Sequence, residues 1–509
     1  MATISALAVV AAGCGGSDDG GASGDRLAVG TTDKVISFDP AGSYDQGSWT
    51  IVYNTYQNLM RIAPGGTTPE PDAAKSCDFE NDTTYVCTLR DGLTFHDGSD
   101  LTAEDVKFSL ERVVNIEDPN GPSTLLANMK SIEAPDDTTV RITLKEPDST
   151  FPFALTTGAG AIVPSDTYPA DKLQPSDKLV GSGPYKMVEY EDGQRLVLDP
   201  FDGYKGPAPM ENEGAIVQYY AQPSALKLAV EQADVSVAYR SLSPTDVADL
   251  EKNNDVEVVE GEGTEIRYIV FNVKLDPAKN LAVRQALAQS IDRQSIADNV
   301  YNGTVKPLYS MLPEGIKYAQ RNFADKYGEQ PDVDGAKQTL QKAGVTTPVD
   351  VELWWTPTHY GAVSADEFTE IKRQLDETGL FKVTLKSAEW QQYSTASTED
   401  GYATYQLGWF PDFPDPDNFA SPFFVDGGFY NNHYSNKEMN ALIAEERSTT
   451  DPAAREKAFT RIQEIAAEDV PTIPLWQGKQ IAVTGKDVKG VKDTLDPSFT
   501  FRMYMVSQG

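Results

Sequence analysis

The densest group of reactive side chains in the 509-residue chain is Trp409-Phe-Pro-Asp412-Phe-Pro-Asp415-Pro-Asp417, where three carboxylates alternate with prolines. Carboxylates so spaced can hold calcium, cap turns or face a cation. Calcium fits poorly, because the run lacks the glycine and distal glutamate of an EF-hand and Pro414 and Pro416 stiffen it. Asp415 and Asp417 suit turn caps around the prolines, whereas spacing alone leaves Asp412 without a role. His96, His359 and His433 are scattered along the chain, too far apart in sequence to suggest a metal set. No nucleophile elbow, HExxH or paired-cysteine metal site occurs. With 77 acidic residues, a carboxylate pair for glycoside hydrolysis stays open by number. No catalytic residue, no metal and no cofactor is nonetheless expected, with a secreted hydrolase as the remote alternative.

The three cysteines also carry chemistry. Cys14 closes a short apolar stretch, Ile4 to Gly13, too brief to cross a bilayer and shaped like a secretory signal. Ala11, Ala12 and Gly13 before Cys14 resemble a bacterial lipobox, although a branched residue is usual where Ala11 stands. That resemblance implies signal removal over 1–13, a diacylated Cys14 and a flexible polar tether over 14–25. No basic residue precedes the apolar run, so the true start is expected upstream of Met1. Cys77 and Cys87 lie in AKSCDFENDTTYVCTLR, which reads as a hairpin turning at Asn81-Asp82-Thr83. Folding about Asp82 sets the two opposite each other, within reach of a disulfide in an oxidising compartment.

The elements that must position these groups alternate between strand and helix patterns, which predicts α/β or α+β lobes. The length exceeds one core, so two or three lobes are expected. A net charge of −34 excludes nucleic acid and adhesion to anionic lipid as modes of action, and no apolar stretch reaches 18 residues. Thr102-Ala-Glu-Asp105 predicts a capped helix with Val106, Leu110, Val113 and Val114 on its core face. Ser364-Ala-Asp-Glu367 and Ser435-Asn-Lys-Glu438 predict two more caps, and Asp451-Pro452 starts a helix ending before Pro471.

Six blocks then appear in order. They are Phe38-Asp39-Pro40 with a helix containing Tyr53, Asn54 and Leu59; Leu89 to Val113; GSGPYKMVEYEDGQ from Gly181; Phe271 to Ile296; GWFPDFPDPDNF from Gly408; and His433 to Trp476. Together they resemble the extracytoplasmic solute-binding proteins of ABC transporters, specifically the dipeptide/oligopeptide/nickel-binding family (family 5). In the third block Pro184 disfavours a helix start, so Gly181-Ser-Gly is a tight crossover and not a phosphate cradle. The resemblance implies a periplasmic-binding-protein-like type II fold, with two large lobes around a cleft and an extra inserted lobe. Lobe I would comprise 26–58, 180–266 and 476–509, lobe II 59–179, and lobe III 267–475.

The resemblance also implies a peptide ligand, a permease partner, an extracytoplasmic location and a monomer. A nickel or metal-chelate receptor on the same fold is the alternative. In peptide-binding members an aspartate at the place of Asp412 pairs with the ligand's α-ammonium group, with Trp409 as a flat wall beside it. Dipeptide binders carry an arginine after the strand matched by Glu352-Leu-Trp-Trp355, but here the chain continues Thr356-Pro-Thr-His-Tyr360. Arg240, after the strand read over Val235 to Tyr239, is the substitute cation. Tyr44 and Tyr360 complete the candidate cleft residues.

Overall fold

Three β-sheets organise the computed structural model, which describes residues 26–240, 242–361 and 363–509. Cys14, the apolar leader and the tether lie outside the described residues. The first sheet has seven strands in the order Val256–Gly261, Gln480–Gly485, Val237–Tyr239, Leu27–Thr31, Ala215–Tyr219, Arg195–Pro200 and Tyr185–Glu191. Leu27–Thr31 runs parallel to both neighbours, with Leu27 opposite Ala215 and Val29 opposite Val237. The fold is the mixed α/β type expected.

The second sheet has six strands: Val305–Pro307, Thr472–Gly478, Ile266–Phe271, Thr404–Trp409, Val349–Trp355 and Phe381–Ser387. Helices cover both faces, so its central strands are buried throughout instead of alternating with solvent. Ile266, Tyr268 and Val270 pack into one apolar cluster, while Ile269 and Phe271 pack into another. This two-residue period is what a pleated strand imposes. The chain crosses between these two sheets at 262–265 and again at Lys479.

The third sheet is a four-stranded antiparallel unit, Ala74–Asn81, Thr84–Leu89, Thr139–Leu144 and Met129–Asp136. Cys77 faces Cys87 across the hairpin and the two are joined in a disulfide. Val140, Ile142 and Leu144 point inward toward Val106, Leu110 and Val113 of the helix Ala103–Ile116. That helix starts with the expected Thr102–Asp105 capping box. Val114, expected in the core, is 37% exposed. It lies roughly 80° around the helix from Val106, at the margin of the stripe. Arg112 is buried instead, paired with Asp39 at 2.7 and 2.6 Å. This ion pair ties the four-stranded unit to the Phe38-Asp39-Pro40 segment, and removing one partner would strand a buried charge.

Three local readings are corrected. The helix Gln46–Thr55 holds Tyr53 and Asn54 but not Leu59, because the chain turns extended at Tyr56. The helix Val363–Glu377 begins before Ser364, so Ser364 and Glu367 turn into the core and form no cap. Asn436, not Ser435, caps Lys437–Arg447, because its side chain reaches the N–H groups of Glu438 and Met439. The Gly181-Ser-Gly block passes hard against the end of Gln46–Thr55. A Cβ at Gly181 would sit 2.1 Å from the Thr55 carbonyl oxygen, and one at Gly183 2.5 Å from the Thr55 carbonyl carbon. Those glycines permit close backbone approach.

Candidate ligand-binding cleft

The strand Thr404–Trp409 delivers the aspartate-proline loop into the space between the two large sheets. Prolines at 411, 414 and 416 cannot donate to a ladder, so the chain turns there and side chains organise it. Asn418 is the hub. Its Oδ1 accepts from Asp412 N at 2.9 Å and Trp409 Nε1 at 3.0 Å, and its Nδ2 donates to Asp412 Oδ2 at 3.0 Å. From the other lobe, Tyr44 Oη donates to Asp412 Oδ1 at 2.6 Å. Burial pushes the Asp412 carboxyl above the usual carboxylate range, while the Asn418 and Tyr44 hydrogen bonds pull it back. Burial and the nearby Asp412 charge push the Tyr44 phenol up as well.

Tyr44, Trp409 and Asp412 therefore meet at one place, with Trp409 acting through Asn418. The Trp409 ring packs edge-on to Phe423, 5.2 Å between centroids, as part of the lobe's own apolar cluster. Asp415 is paired with Arg455 at 2.9 and 2.7 Å, and Asp417 accepts from the Ser421 hydroxyl. Nearby, Ser149 N donates to Arg447 O at 2.7 Å and Arg447 pairs with Asp148 at 3.0 Å. These contacts join the four-stranded unit to the six-stranded lobe.

Arg240 and Tyr360 meet elsewhere, around a cavity of about 500 Å³. Arg240 holds a left-handed backbone, φ 47°, uncommon for a residue with a side chain and a mark of local strain. Its Nε lies 3.3 Å from Asp33, and its guanidinium lies 5.2 Å from the Phe410 ring centre. Phe410 is 37% exposed and touches Phe499 edge-on. Tyr360 Oη accepts from Gly408 N at 2.9 Å. Over the Tyr360 ring, 4.2 Å away, sits Arg267, which also pairs with Glu265 at 2.6 Å. His359 stacks on Trp390 at 3.7 Å, and burial lowers its imidazole to about 4, so it stays neutral.

Sequence reasoning missed Arg267. The signal was a lone cation inside the apolar run Ile266-Arg-Tyr-Ile-Val-Phe271, since a charge in a buried strand needs partners. It also missed Glu367, which accepts from Tyr301 Oη, Trp476 Nε1 and Gln406 Nε2 at 3.0, 3.0 and 3.1 Å. Burial pushes that carboxyl up to about 7, against the opposing pull of Arg267 and of these hydrogen bonds.

Residues 68–431 match the family model described as bacterial extracellular solute-binding proteins, family 5 Middle. The chain is 27% identical over 487 residues to the probable D,D-dipeptide-binding periplasmic protein DdpA of Escherichia coli strain K12, covering 92% of this chain and 91% of that one. It is likewise 27% identical over 484 residues to the glutathione-binding protein GsiB of Escherichia coli strain 536, covering 93% of each. Among solved structures it resembles the ABC transporter-associated periplasmic binding protein DppA of Helicobacter pylori in complex with the peptide STSA. There the TM-score is 0.78 at 23% identity, covering 95% of this chain and 98% of that one.

Proposed function

The chain belongs to the bacterial extracellular solute-binding proteins, family 5, and from that premise we propose that it captures a small peptide between its two large lobes and delivers it to the permease of an ABC importer. In this reading the segments around the seven-stranded sheet, 26–58, 180–261 and 480–509, move as one lobe against 266–478, with 59–179 as the inserted lobe. One observation carries the peptide assignment. Asp412 is half-buried and hydrogen-bonded by Tyr44 and Asn418, and burial pushes its carboxyl up, yet no lysine or arginine among the described residues forms an ion pair with it. A desolvated carboxylate without a cation is costly, and a ligand ammonium would offset that cost through a short charge-assisted bond. The peptide and glutathione named for the relatives above agree with a ligand bearing a free amino group.

Asp412 is then the ammonium anchor, Tyr44 and Trp409 its supports, and Arg240 and Tyr360 the far wall. Calorimetry with the tripeptide Ala-Ala-Ala tests this. Asp412→Asn should weaken binding about 100-fold, the scale for truncating one partner of a buried charge pair. The N-acetylated peptide should bind both proteins equally poorly. Unchanged affinity in the variant would remove Asp412 from the site, and a co-purified metal chelate seen by native mass spectrometry would replace the peptide.

Outside the membrane, the protein would be held by a lipid on Cys14 and work as a monomer. The lipobox-like residues and the polar tether support this reading. Among the described residues no helix is long and apolar enough to cross a membrane. Intact-mass measurement of protein extracted from membranes should find a diacylglyceryl group on a chain beginning at Cys14, and an unmodified N-terminus elsewhere would refute the anchor.

A further inference from the structure

The inserted lobe touches both large lobes, but in different ways. Toward the seven-stranded lobe its contacts are buried and numerous. Besides the Arg112–Asp39 pair, Gln174 N donates to Asp39 Oδ2 at 2.6 Å and Arg502 Nη2 donates to Ile62 O at 2.9 Å. Toward the six-stranded lobe it presents a narrow seam, which meets the end of the helix Lys437–Arg447. The last carbonyls of a helix have no partner within it. Here Ser448 N answers those of Ala444 and Glu445, at 3.2 Å each. The carbonyls of Glu446 and Arg447 are answered from the inserted lobe, by Ser149 Oγ at 3.3 Å and Ser149 N at 2.7 Å. Beside this cap, Asp148 pairs with Arg447 at 3.0 Å. Asp148 is buried and fixed from its own lobe by Thr150 Oγ1 at 2.6 Å and Asn128 Nδ2 at 3.1 Å. Arg447 also stands 4.0 Å from Asp417 of the six-stranded lobe. Along the same seam Ile62, Phe153 and Phe413 form a small apolar cluster separate from the larger cores, with the two rings 5.5 Å apart.

We propose that the inserted lobe is a strap that holds the cleft shut. Carried by the seven-stranded lobe, it reaches across to cap a helix end, pair with Arg447 and cover Phe413. The proposal rests on the closure described above and goes beyond it by giving the inserted lobe a task. When the large lobes part, two helix carbonyls, an ion pair and an apolar trio return to water together, and each of these changes resists opening. Phe413 directly follows Asp412, so a ligand held by Asp412 also steadies Phe413 against Phe153. Fastening of the strap and capture of the ligand are thereby coupled.

Stopped-flow fluorescence with Ala-Ala-Ala and the full chain tests the strap. Asp148→Asn and Arg447→Gln break the ion pair from opposite sides of the seam, so a folding failure in one leaves the other to be measured. Each should raise the dissociation rate about fivefold, the upper end for an ion pair with one partly exposed member, and leave the association rate unchanged. The double variant should dissociate no faster than the single ones, because the second change has no pair left to break. Dissociation within about twofold of wild type in both single variants overturns the strap and leaves the Asp412 anchor standing. Losses that multiply in the double variant also overturn it, since they mark two unrelated defects. Failure of the wild type to bind the probe overturns the peptide reading instead. Small-angle scattering of the protein without added peptide then decides the strap: the double variant should have the larger radius of gyration, and equal radii overturn the proposal.

Discussion

At the Asp412 end the polar groups already answer one another: Asn418 binds both the backbone and the side chain of Asp412, Trp409 binds Asn418, and Tyr44 reaches across from the other lobe. Around Phe410, by contrast, Arg240 Nη1, Tyr239 Oη and Gln480 Oε1 stand unpartnered. The first arrangement is pre-organised, with its carboxylate held in one place before a ligand arrives. The second leaves donors waiting for a group that the protein itself does not supply. On the proposed reading, a site so divided would fix where one end of the ligand goes and select the chemistry of the other.

The strongest probe of that division is the double variant Asp412→Asn with Arg240→Gln. If the ends act independently, the single losses multiply, giving a fall of about 1000-fold or more for Ala-Ala-Ala, with additivity to about 0.5 kcal/mol. A double variant no weaker than the worse single variant would break the comparison and show one coupled unit. A smaller effect tests the support beneath the basic end. Glu367 has its folded pKa raised from 4.5 to about 7, so the folded state binds the proton more tightly. The resulting stability is fully present below pH 4.5 and is lost as pH climbs through about 7, an amplitude of roughly 3 kcal/mol at 1.36 kcal/mol per unit. His96 and His359, both lowered from 6.5 to about 4, slope the opposite way over much of the same range. The comparison is therefore between wild type and Glu367→Gln in denaturant unfolding from pH 4.5 to 8. The wild type should lose stability relative to the variant as pH rises, and parallel curves would mean Glu367 does not titrate in this window.

The same contrast explains what could be read from the sequence. Asp412 and Trp409 lie in one proline-bound loop, so the family resemblance of a single block points to both, whereas Asn418, the hub between them, carries no signal of its own in the sequence. The Cys77–Cys87 pairing and the Thr102–Asp105 cap were legible because hairpin register and helix starts are local. The basic end has no such economy. It draws Arg240, Arg267, Tyr360, Phe410 and Gln480 from separate segments, and only tertiary packing brings them together. Glu367 illustrates the limit: its spacing from Ser364 matched a capping box, yet the helix starts two residues earlier than that box requires and the carboxyl turns inward to Trp476 and Tyr301. Local propensity lost to burial.

In the proposed closure the two crossings at 262–265 and Lys479 would act as paired pivots. Glu265, Gly478 and Lys479 belong to these crossings or border them, and all line the Phe410 cavity. Rotation about a line through both pivots moves nearby atoms little and distant atoms far, as a door moves at its hinge and at its edge. The guanidinium groups of Arg240 and Arg267 would therefore keep nearly the same spacing through such a swing. The Tyr44–Asp412 bond, which joins the lobes directly, must break for them to part. In kinetic terms, on the proposed reading the hinge side would be able to dock a ligand while the cleft gapes, and the latch side would set how long that ligand stays.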